Sequence, residues 1–205
     1  MDQGTDEWFA ARLGKSTAST FKDMMAATRT GESQYKIKLR QKLAIERLTG
    51  KRIEDHFMNK AMQDGVDREP IARKLFEDRY GFVVNEVGFI DHKEVDMSGA
   101  SPDGLVGEDY VVEIKCPTHI THLNNLMAVK LPKQYHYQIQ WQMACTDRSN
   151  AHFISYHPDF PDELNMKHIL VQRDNELIKN MEAAAHQFNI EIEDLILKLK
   201  ELNNG

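Results

Sequence analysis

The sequence predicts a mixed α/β fold, in which a central mixed β-sheet is flanked by helices. Amphipathic segments with helical spacing occupy the first 81 residues, and the spacing then changes to the alternation typical of strands between residues 82 and 115. Helical and strand segments follow in turn, and no repeat or low-complexity tract interrupts the chain. We therefore expect a single domain over residues 1–205, with a mostly antiparallel or mixed sheet.

Four amphipathic segments predict helices in the first part of the chain, at residues 5–14, 16–27, 33–50 and 71–81. The third segment opens on Ser33, a good N-cap, and ends at Gly50, a good C-cap. Tyr35, Leu39 and Leu43 recur along one stripe of this segment and predict its buried face.

Five later segments alternate apolar and polar residues and predict strands, at residues 82–90, 94–100, 110–115, 151–157 and 167–174. A helical pattern over residues 132–146 separates the third of these segments from the fourth. The chain closes on a long helix at about residues 175–202, with Leu195, Leu199 and Leu202 on its apolar side. This helix is expected to pack on the domain or to extend from it.

Composition narrows the class of protein. Apolar residues make up 41% of the chain and charged residues 28%, as in folded soluble proteins. No apolar run reaches the roughly 20 residues of a membrane span, and the acidic, polar start is not a signal peptide. Two cysteines are too few for a disulfide framework, which favours a reducing compartment, and we expect the cytoplasm. Nothing predicts a membrane partner.

The charge distribution bears on nucleic-acid binding. A net charge of -6 argues against a protein that coats nucleic acid with its whole surface, but it allows a local basic channel. Residues 36–52 carry seven basic side chains and one acid, Glu46. This stretch is either a solvated helix face or a face that contacts phosphates.

The stretch SPDGLVGEDYVVEIKCP, residues 101–117, concentrates the candidate chemistry. Side chains alternate along a strand, so Glu113 and Lys115 share one face while Val112 and Ile114 face the core. A hairpin would bring Asp103, in the preceding Pro-Asp-Gly turn, beside Glu113.

Paired carboxylates repel each other unless a cation lies between them. Mg²⁺ meets that need and takes protein carboxylates together with phosphate and water. Lys115, beside the same site, could orient or deprotonate a water and offset developing negative charge. The strand therefore predicts a Mg²⁺-dependent site that hydrolyses a phosphodiester. The alternative is a surface hairpin whose Glu and Lys pair in solvent.

Further motifs accompany this strand, in the order WxxxRLGxxTAS (residues 8–19), GVDREPIA (65–72) running on to LFE (75–77), SPDGL with EIKCP (101–117), QIQ (138–140) and FISY with Asp159 (153–159). Together these five blocks resemble the phage lambda exonuclease and YqaJ-type viral recombinase family, within the PD-(D/E)xK nuclease superfamily. The resemblance covers roughly residues 6–175 and implies a restriction-endonuclease-like core.

The resemblance implies a processive, Mg²⁺-dependent 5′-to-3′ exonuclease on double-stranded DNA. Asp103, Glu113 and the main-chain carbonyl of Ile114 match the family's metal ligands, for two Mg²⁺ ions that Mn²⁺ could replace. Lys115 matches the catalytic lysine, and Glu69 matches an acid that the family supplies to the same metal site from a helix. Glu69 also suits the first turn of a helix, with Pro70 at an early helical position.

The resemblance also implies a pocket for the 5′-terminal phosphate, formed by Arg12, Ser19, Ser101 and Gln138. An Arg fork with hydroxyl and amide donors suits a phosphate monoester. Ser19 could instead cap a helix. Gln138 is favoured over Gln140 because residues two apart on a helix point to different sides.

Two further residues match DNA contacts of the family. Arg29 matches an arginine that reaches into the DNA near the active site, and Met62 matches an apolar residue that separates the terminal base pair. The surrounding MNKAMQ differs from the family, so Met62 is equally consistent with an ordinary packing residue.

Two other candidates are weaker. His119 and His122 form an i, i+3 pair, but no further His or Cys completes a zinc set in the sequence, which favours solvated or packed histidines. Cys116 follows Lys115, and its strand position turns it away from that residue.

The family forms a ring-shaped homotrimer that admits duplex ends and leaves a 3′ single-stranded tail, and it pairs with a Bet-type single-strand annealing protein. The resemblance thus implies these partners and a bacterial host, with phage or prophage origin. Two rival functions remain, a structure-selective PD-(D/E)xK endonuclease and a catalytically inert DNA-end-binding scaffold.

Overall fold

The computed structural model describes residues 1–29, 31–53 and 60–202. In chain order its helices α1–α7 are Asp6–Arg12, Phe21–Met24, Gln34–Thr49, Lys60–Tyr80, His119–Met127, Lys133–Thr146 and Asn175–Glu201. Its strands β1–β9 are Ser16–Thr17, Ala27–Thr28, Gly31–Glu32, Ile90–Asp91, Ser98–Ala100, Gly104–Val106, Tyr110–Lys115, Asn150–Tyr156 and Met166–Gln172. The predicted mixed α/β class is confirmed.

The principal sheet has four strands in the order β6-β7-β8-β9. β6 and β7 form an antiparallel hairpin in which Gly104 pairs with Val112, as the sequence predicts. β7 and β8 are parallel, because α5 and α6 provide the long crossover that parallel neighbours need. β9 completes the sheet in antiparallel pairing with β8. The sheet is therefore mixed, with the candidate catalytic strand β7 in its interior.

Gly104 fixes the turn that carries Asp103. A Cβ at this position would lie 2.2 Å from Cγ1 of Val84, closer than packed carbon atoms approach. The backbone of β6 therefore lies directly against Val84, which only glycine permits. This close contact fixes the position of the turn that holds Asp103 beside β7.

Two smaller sheets accompany the principal sheet. One has the order β1-β5-β4, with β1 parallel to β5 and β4 antiparallel to it. The other is the short hairpin β2-β3. The strands predicted at residues 82–90 and 94–100 are much shorter than expected. Residues 82–89 have no regular secondary structure apart from an isolated bridge between Asn85 and Leu105 of β6.

Helix α7 packs against the core with a different stripe from the predicted one. Its buried residues are Ile178, Met181, Ala185, Phe188, Ile192 and Ile196. Leu195 only packs at the margin of this core, whereas Leu199 and Leu202 are exposed. The core also contains Phe21 against Trp141, with ring centroids 4.0 Å apart.

Helix α3 matches its predicted limits, with Ser33 capping its start and Gly50 in the left-handed conformation at its end. Leu39 and Leu43 are buried as predicted, but Tyr35 is 68% exposed, so the predicted stripe is wrong at that residue. Helix α4 begins at least eleven residues before the predicted start, at Lys60, and therefore holds Glu69 and Pro70 in its interior.

Helix α5 was not predicted from the sequence. It begins four residues after Lys115 and so places His119 and His122 near the end of β7. No helix in the described part of the chain is both long and apolar enough to cross a membrane.

Candidate active site

Asp103 and Glu113 lie side by side because the β6–β7 hairpin aligns them. The backbone N–H of Asp103 donates to the carbonyl of Val112 over 3.1 Å, and Oδ2 of Asp103 accepts from the backbone N–H of Ile114 over 2.6 Å. Glu113 is fully buried, and Nζ of Lys115 contacts its Oε1. The predicted hairpin geometry is thus present, with both carboxylates and the lysine in one site.

Two acidic side chains, Asp103 and Glu113, share this site with one basic side chain, Lys115. Burial, and then the neighbouring Glu113, raise the pKa of Asp103 well above its ordinary value, although Lys115 opposes the shift. Burial by itself would lower the pKa of Lys115, but the two carboxylates outweigh it and the pKa is raised. Lys115 is therefore a firmly protonated cation between two acids.

Two amides of α6 hold the carboxylate of Glu113. Nε2 of Gln138 donates to Oε1 over 2.6 Å, and Nε2 of Gln142 donates to Oε2. Gln140 instead donates to the carbonyl of Gln172, away from the site. The structure thus turns Gln138, and not Gln140, toward Glu113. The role of Gln142 was missed in the sequence analysis, although its i, i+4 spacing from Gln138 signals it.

Glu69 reaches this site from the middle of α4. Its Oε1 accepts from Nη2 of Arg73 over 2.6 Å, and Arg73 also pairs with Glu86. Burial raises the pKa of Glu69, Arg73 opposes the shift, and Glu113 adds to it. The predicted first-turn position is wrong, because α4 continues through Pro70.

The oxygens present fit a hard divalent cation. Asp103 and Glu113 place two carboxylates side by side on the β6–β7 hairpin, and carboxylate oxygens are ligands that hard divalent cations prefer. Glu69 interacts with Glu113, but its carboxylate is engaged by Arg73 and does not form a tight three-acid cluster with the other two in the described residues. Joining the same ion would require Glu69 to turn from Arg73.

Arg12 and Ser101 form the centre of the predicted phosphate pocket. Nη1 of Arg12 donates to Oγ of Ser101 over 3.0 Å, and Nε1 of Trp8 donates to the same oxygen over 2.9 Å. The Arg12 guanidinium lies 4.2 Å from the centre of the Trp8 ring. Burial, together with the nearby Arg52, lowers the pKa of Arg12 to about 10.

Ser19 lines the same cavity as Arg12, and its hydroxyl lies 3.1 Å from Oγ1 of Thr17. A short 3₁₀ helix covers Ala18–Thr20, and Thr17 and Thr20 form its capping interaction, so Ser19 is not the cap. Gln138, the fourth predicted pocket residue, bonds instead to Glu113. The structure thus brings Arg12 together with Ser101 and with Ser19, whereas the contact of Gln138 is with the carboxylate of Glu113.

Arg29 and Met62 occupy different surroundings. Arg29 is exposed in the turn between β2 and β3. Met62 lies in the first turns of α4, is 48% exposed, and lines a cavity of about 370 Å³ together with Glu69, Ile114 and Lys115. Met62 is therefore adjacent to the catalytic lysine candidate.

The histidines and Cys116 take other roles. His122 is buried and bonds to Ser155 and to the carbonyl of Leu164, so it packs as predicted. His119, His157 and Asp159 bring three ligand atoms within 4.8 Å of one another, which the sequence did not predict. Burial, then Glu69 and Asp103, raise the pKa of Cys116 to about 12, so its thiol is a poor nucleophile.

Comparisons with known proteins place the chain among nuclease relatives. The model of the YqaJ-like viral recombinase domain matches residues 7–149. An alkaline exonuclease from Laribacter hongkongensis, LHK-Exo, is 40% identical, with a TM-score of 0.91 and 98% of each chain covered, and so is its structure in complex with dAMP. A phage-related exonuclease from Haemophilus somnus 129PT shares the fold at 17% identity, with a TM-score of 0.69, over 90% of this chain and 96% of that one. No curated protein sequence matches.

The resemblance predicted from the sequence motifs is thereby confirmed over most of the chain. The structural relatives named here are exonucleases. The chain belongs to the YqaJ-like viral recombinase domain family.

Proposed function

We propose that the protein is a Mg²⁺-dependent, processive 5′-to-3′ exonuclease on linear double-stranded DNA. It would release 5′-mononucleotides and leave 3′ single-stranded tails for recombination by strand annealing. The observation that carries the proposal is the contiguity of two sites: the buried Asp103–Glu113 pair with Lys115, and the Arg12–Ser101 pocket two residues upstream of Asp103. One site suits phosphodiester hydrolysis and the other suits a terminal phosphate.

Each residue of the first site has a separate task. Asp103 and Glu113, with Glu69 and the carbonyl of Ile114, would hold Mg²⁺, which supplies a Lewis acid that neutralises charge on the phosphodiester. Gln138 and Gln142 fix the orientation of the Glu113 carboxylate. Lys115 carries a proton beside these acids and offsets negative charge as the P–O3′ bond breaks.

The second site explains the direction of digestion. Oγ of Ser101 accepts hydrogen bonds from Trp8 and Arg12, which occupy its lone pairs and leave its own hydrogen to be donated outward. A terminal phosphate monoester carries more charge than an internal diester, so this pocket favours a phosphorylated 5′ end. LHK-Exo has been solved with dAMP, a nucleoside 5′-monophosphate of the kind that such a cut releases.

We extend the proposal to assembly. A ring-shaped homotrimer would surround the DNA with basic residues and keep acids outside, consistent with the net charge of -6. A Bet-type annealing protein would coat the 3′ tail. Sedimentation at micromolar concentration tests the first point, and a monomer there would contradict it.

The decisive experiment uses linear duplex DNA with a 5′-phosphate at one end and a 5′-hydroxyl at the other, with Mg²⁺, Mn²⁺ or EDTA. We expect metal-dependent release of mononucleotides from the phosphorylated end, lost in Lys115→Ala and kept in Lys179→Ala, an exposed lysine of α7. Equal attack on both ends would contradict the phosphate pocket. Cleavage of closed circles would indicate an endonuclease, and binding without cleavage would indicate an inert scaffold.

A further inference from the structure

A cluster of two histidines and one aspartate lies outside the site described above. Nε2 of His119 is 2.8 Å from Oδ2 of Asp159, and Nδ1 of His157 is 4.0 Å from the same oxygen. One ligand atom from each of the three residues lies within 4.8 Å of the other two. Ligands about 2.0 Å from a tetrahedral ion are about 3.3 Å apart, so the cluster is close to the spacing that one metal ion requires.

The parallel pairing of β7 and β8 brings these residues together. Lys115, the last residue of β7, pairs with Ser155 of β8, so the chain leaves both strands at the same edge of the sheet. His119 is then the first residue of α5, and His157 and Asp159 follow the end of β8. The rings of His119 and His157 have centroids 4.0 Å apart. The position of the cluster thus follows from the register of the two central strands.

One of the three side chains is fixed and the other two are accessible. His157 is 1% exposed, and its backbone N–H donates to the carbonyl of Asn165 over 2.9 Å. The side chains of His119 and Asp159 are 64% and 60% exposed. An ion can therefore reach the cluster from solvent, and the two exposed side chains can adjust around it without repacking of the core.

The donor set distinguishes this cluster from the Asp103–Glu113 pair. Two imidazole nitrogens and one carboxylate suit Zn²⁺ and similar transition metals, whereas Mg²⁺ prefers oxygen ligands and water. Three protein ligands also leave the fourth position of a tetrahedral ion to water. The carboxylate pair and the histidine cluster are thus suited to different ions.

Arg68 must move for an ion to bind. Its Nη1 lies 3.2 Å from Nε2 of His157, and its Nη2 lies 3.5 Å from Oδ2 of Asp64. Nδ1 of His157 accepts a long bond of 3.3 Å from the backbone N–H of Asp159, which an ion at Nδ1 would replace. With the ion at Nδ1, Nε2 carries the hydrogen and cannot accept from Arg68. Arg68 then turns toward Asp64.

We propose that His119, His157 and Asp159 bind one Zn²⁺ ion, separate from the Mg²⁺ of the proposed active site. The ion links the start of α5 to the turn after β8, and so holds together the segments that leave the carboxyl ends of β7 and β8. The inference stands on the geometry of this cluster and does not rest on the proposed exonuclease function.

Calorimetric titration of the full chain with Zn²⁺ in excess Mg²⁺ tests the site. Mg²⁺ competes for the carboxylate pair, and Asp103→Asn is a second control against Zn²⁺ binding there. We expect one ion per chain, bound equally by wild type, Asp103→Asn and His186→Ala, an exposed histidine of α7. His119→Ala should bind Zn²⁺ at least about tenfold more weakly, because even an outer-shell partner is worth that much.

His119 is exposed, so His119→Ala should fold, and circular dichroism checks this. Equal Zn²⁺ affinities in wild type and His119→Ala would overturn the proposal. So would a wild type that binds no Zn²⁺, or a loss of binding confined to Asp103→Asn. Thermal unfolding is an independent readout, since Zn²⁺ should raise the melting temperature of wild type and not that of His119→Ala. An equal rise in both proteins would also overturn the proposal.

Arg68→Gln tests coordination through Nδ1 of His157. The substitution removes a positive charge beside the divalent ion, and the glutamine oxygen can accept from Nε2. Zn²⁺ should therefore bind about threefold more tightly to this variant than to wild type. Unchanged or weaker binding would contradict coordination through Nδ1.

Discussion

Gln142 donates a hydrogen bond to Oε2 of Glu113 and so completes the pair of amides that fixes this carboxylate. Because Gln138 holds the other oxygen, the carboxylate cannot rotate without losing a bond. Its negative charge is thereby kept in one orientation beside Asp103. Gln142, which the sequence motifs did not single out, is thus a positioning residue for the proposed metal site.

Gln142→Ala should lower activity and Mg²⁺ affinity together, by about 10- to 100-fold, as loss of an outer-shell partner commonly does. The measurement is the Mg²⁺ concentration dependence of mononucleotide release. Gln187→Ala, at an exposed position of α7, is the matched control and should behave as wild type. A fall in activity at saturating Mg²⁺ with unchanged Mg²⁺ dependence would argue against the positioning role.

Asp103→Asn should abolish activity yet raise the melting temperature in EDTA. The carboxyl group of Asp103 is buried beside Glu113, which raises its pKa and makes its charged form costly at neutral pH. The amide removes that charge and can still accept from the N–H of Ile114. Thermal unfolding in EDTA and in Mg²⁺ measures the change in melting temperature, with Asp194→Asn, at an exposed position of α7, as the control.

The gain in melting temperature of Asp103→Asn should shrink when Mg²⁺ is added, because the cation relieves the repulsion between Asp103 and Glu113 in the wild type. A melting temperature that falls in EDTA would show that Asp103 stabilises the fold. Such a result would contradict the view of this pair as a preformed site for a cation.

Trp8→Phe should reduce the preference for a 5′-phosphate about fivefold. The ring that stacks on Arg12 is retained, but the N–H that occupies a lone pair of Ser101 is lost, at a cost of about 1 kcal/mol for one neutral hydrogen bond. The ratio of digestion rates from the phosphorylated and hydroxyl ends of one duplex measures this directly. The hydroxyl end serves as the internal control, and equal losses at both ends would refute the assignment.

The candidate strand was predictable because its chemistry is local. Alternation along residues 110–115 places Glu113 and Lys115 on one face whatever surrounds them, and a short hairpin brings Asp103 beside them. The i, i+2 argument separated Gln138 from Gln140 for the same reason. These predictions needed only the geometry of one strand and one helix.

Other features depend on packing between distant segments. Residues 82–89 alternate like a strand, but they form only one bridge, between Asn85 and Leu105, and otherwise have no regular secondary structure. Pro70 suggested a helix start, yet the interior of α4 accepts it. Arg40 and Arg47 of the basic stretch pair with Glu191 and Glu193, some 150 residues away, which the sequence alone does not bring near.

The last prediction concerns acid stability. Burial, together with His168, lowers the pKa of His152 from 6.5 to about 4. The unfolded chain therefore binds a proton between these pH values that the folded chain does not, so stability falls as pH drops from 6.5 to 4. His152 contributes at most about 3 kcal/mol to this change in the free energy of unfolding. His152→Phe, which keeps an aromatic ring beside Tyr110 and Phe82, should flatten this part of the pH profile.

Urea unfolding of wild type and variant at several pH values from 4 to 7 measures the effect as a difference of slopes. The variant also loses the bond between Nδ1 of His152 and Nε2 of His168, so its absolute stability at pH 7 is expected to be lower. The decisive quantity is the change with pH. Parallel profiles for the two proteins would show that His152 binds protons equally in the folded and unfolded states, and the acid sensitivity would then have to come from another group.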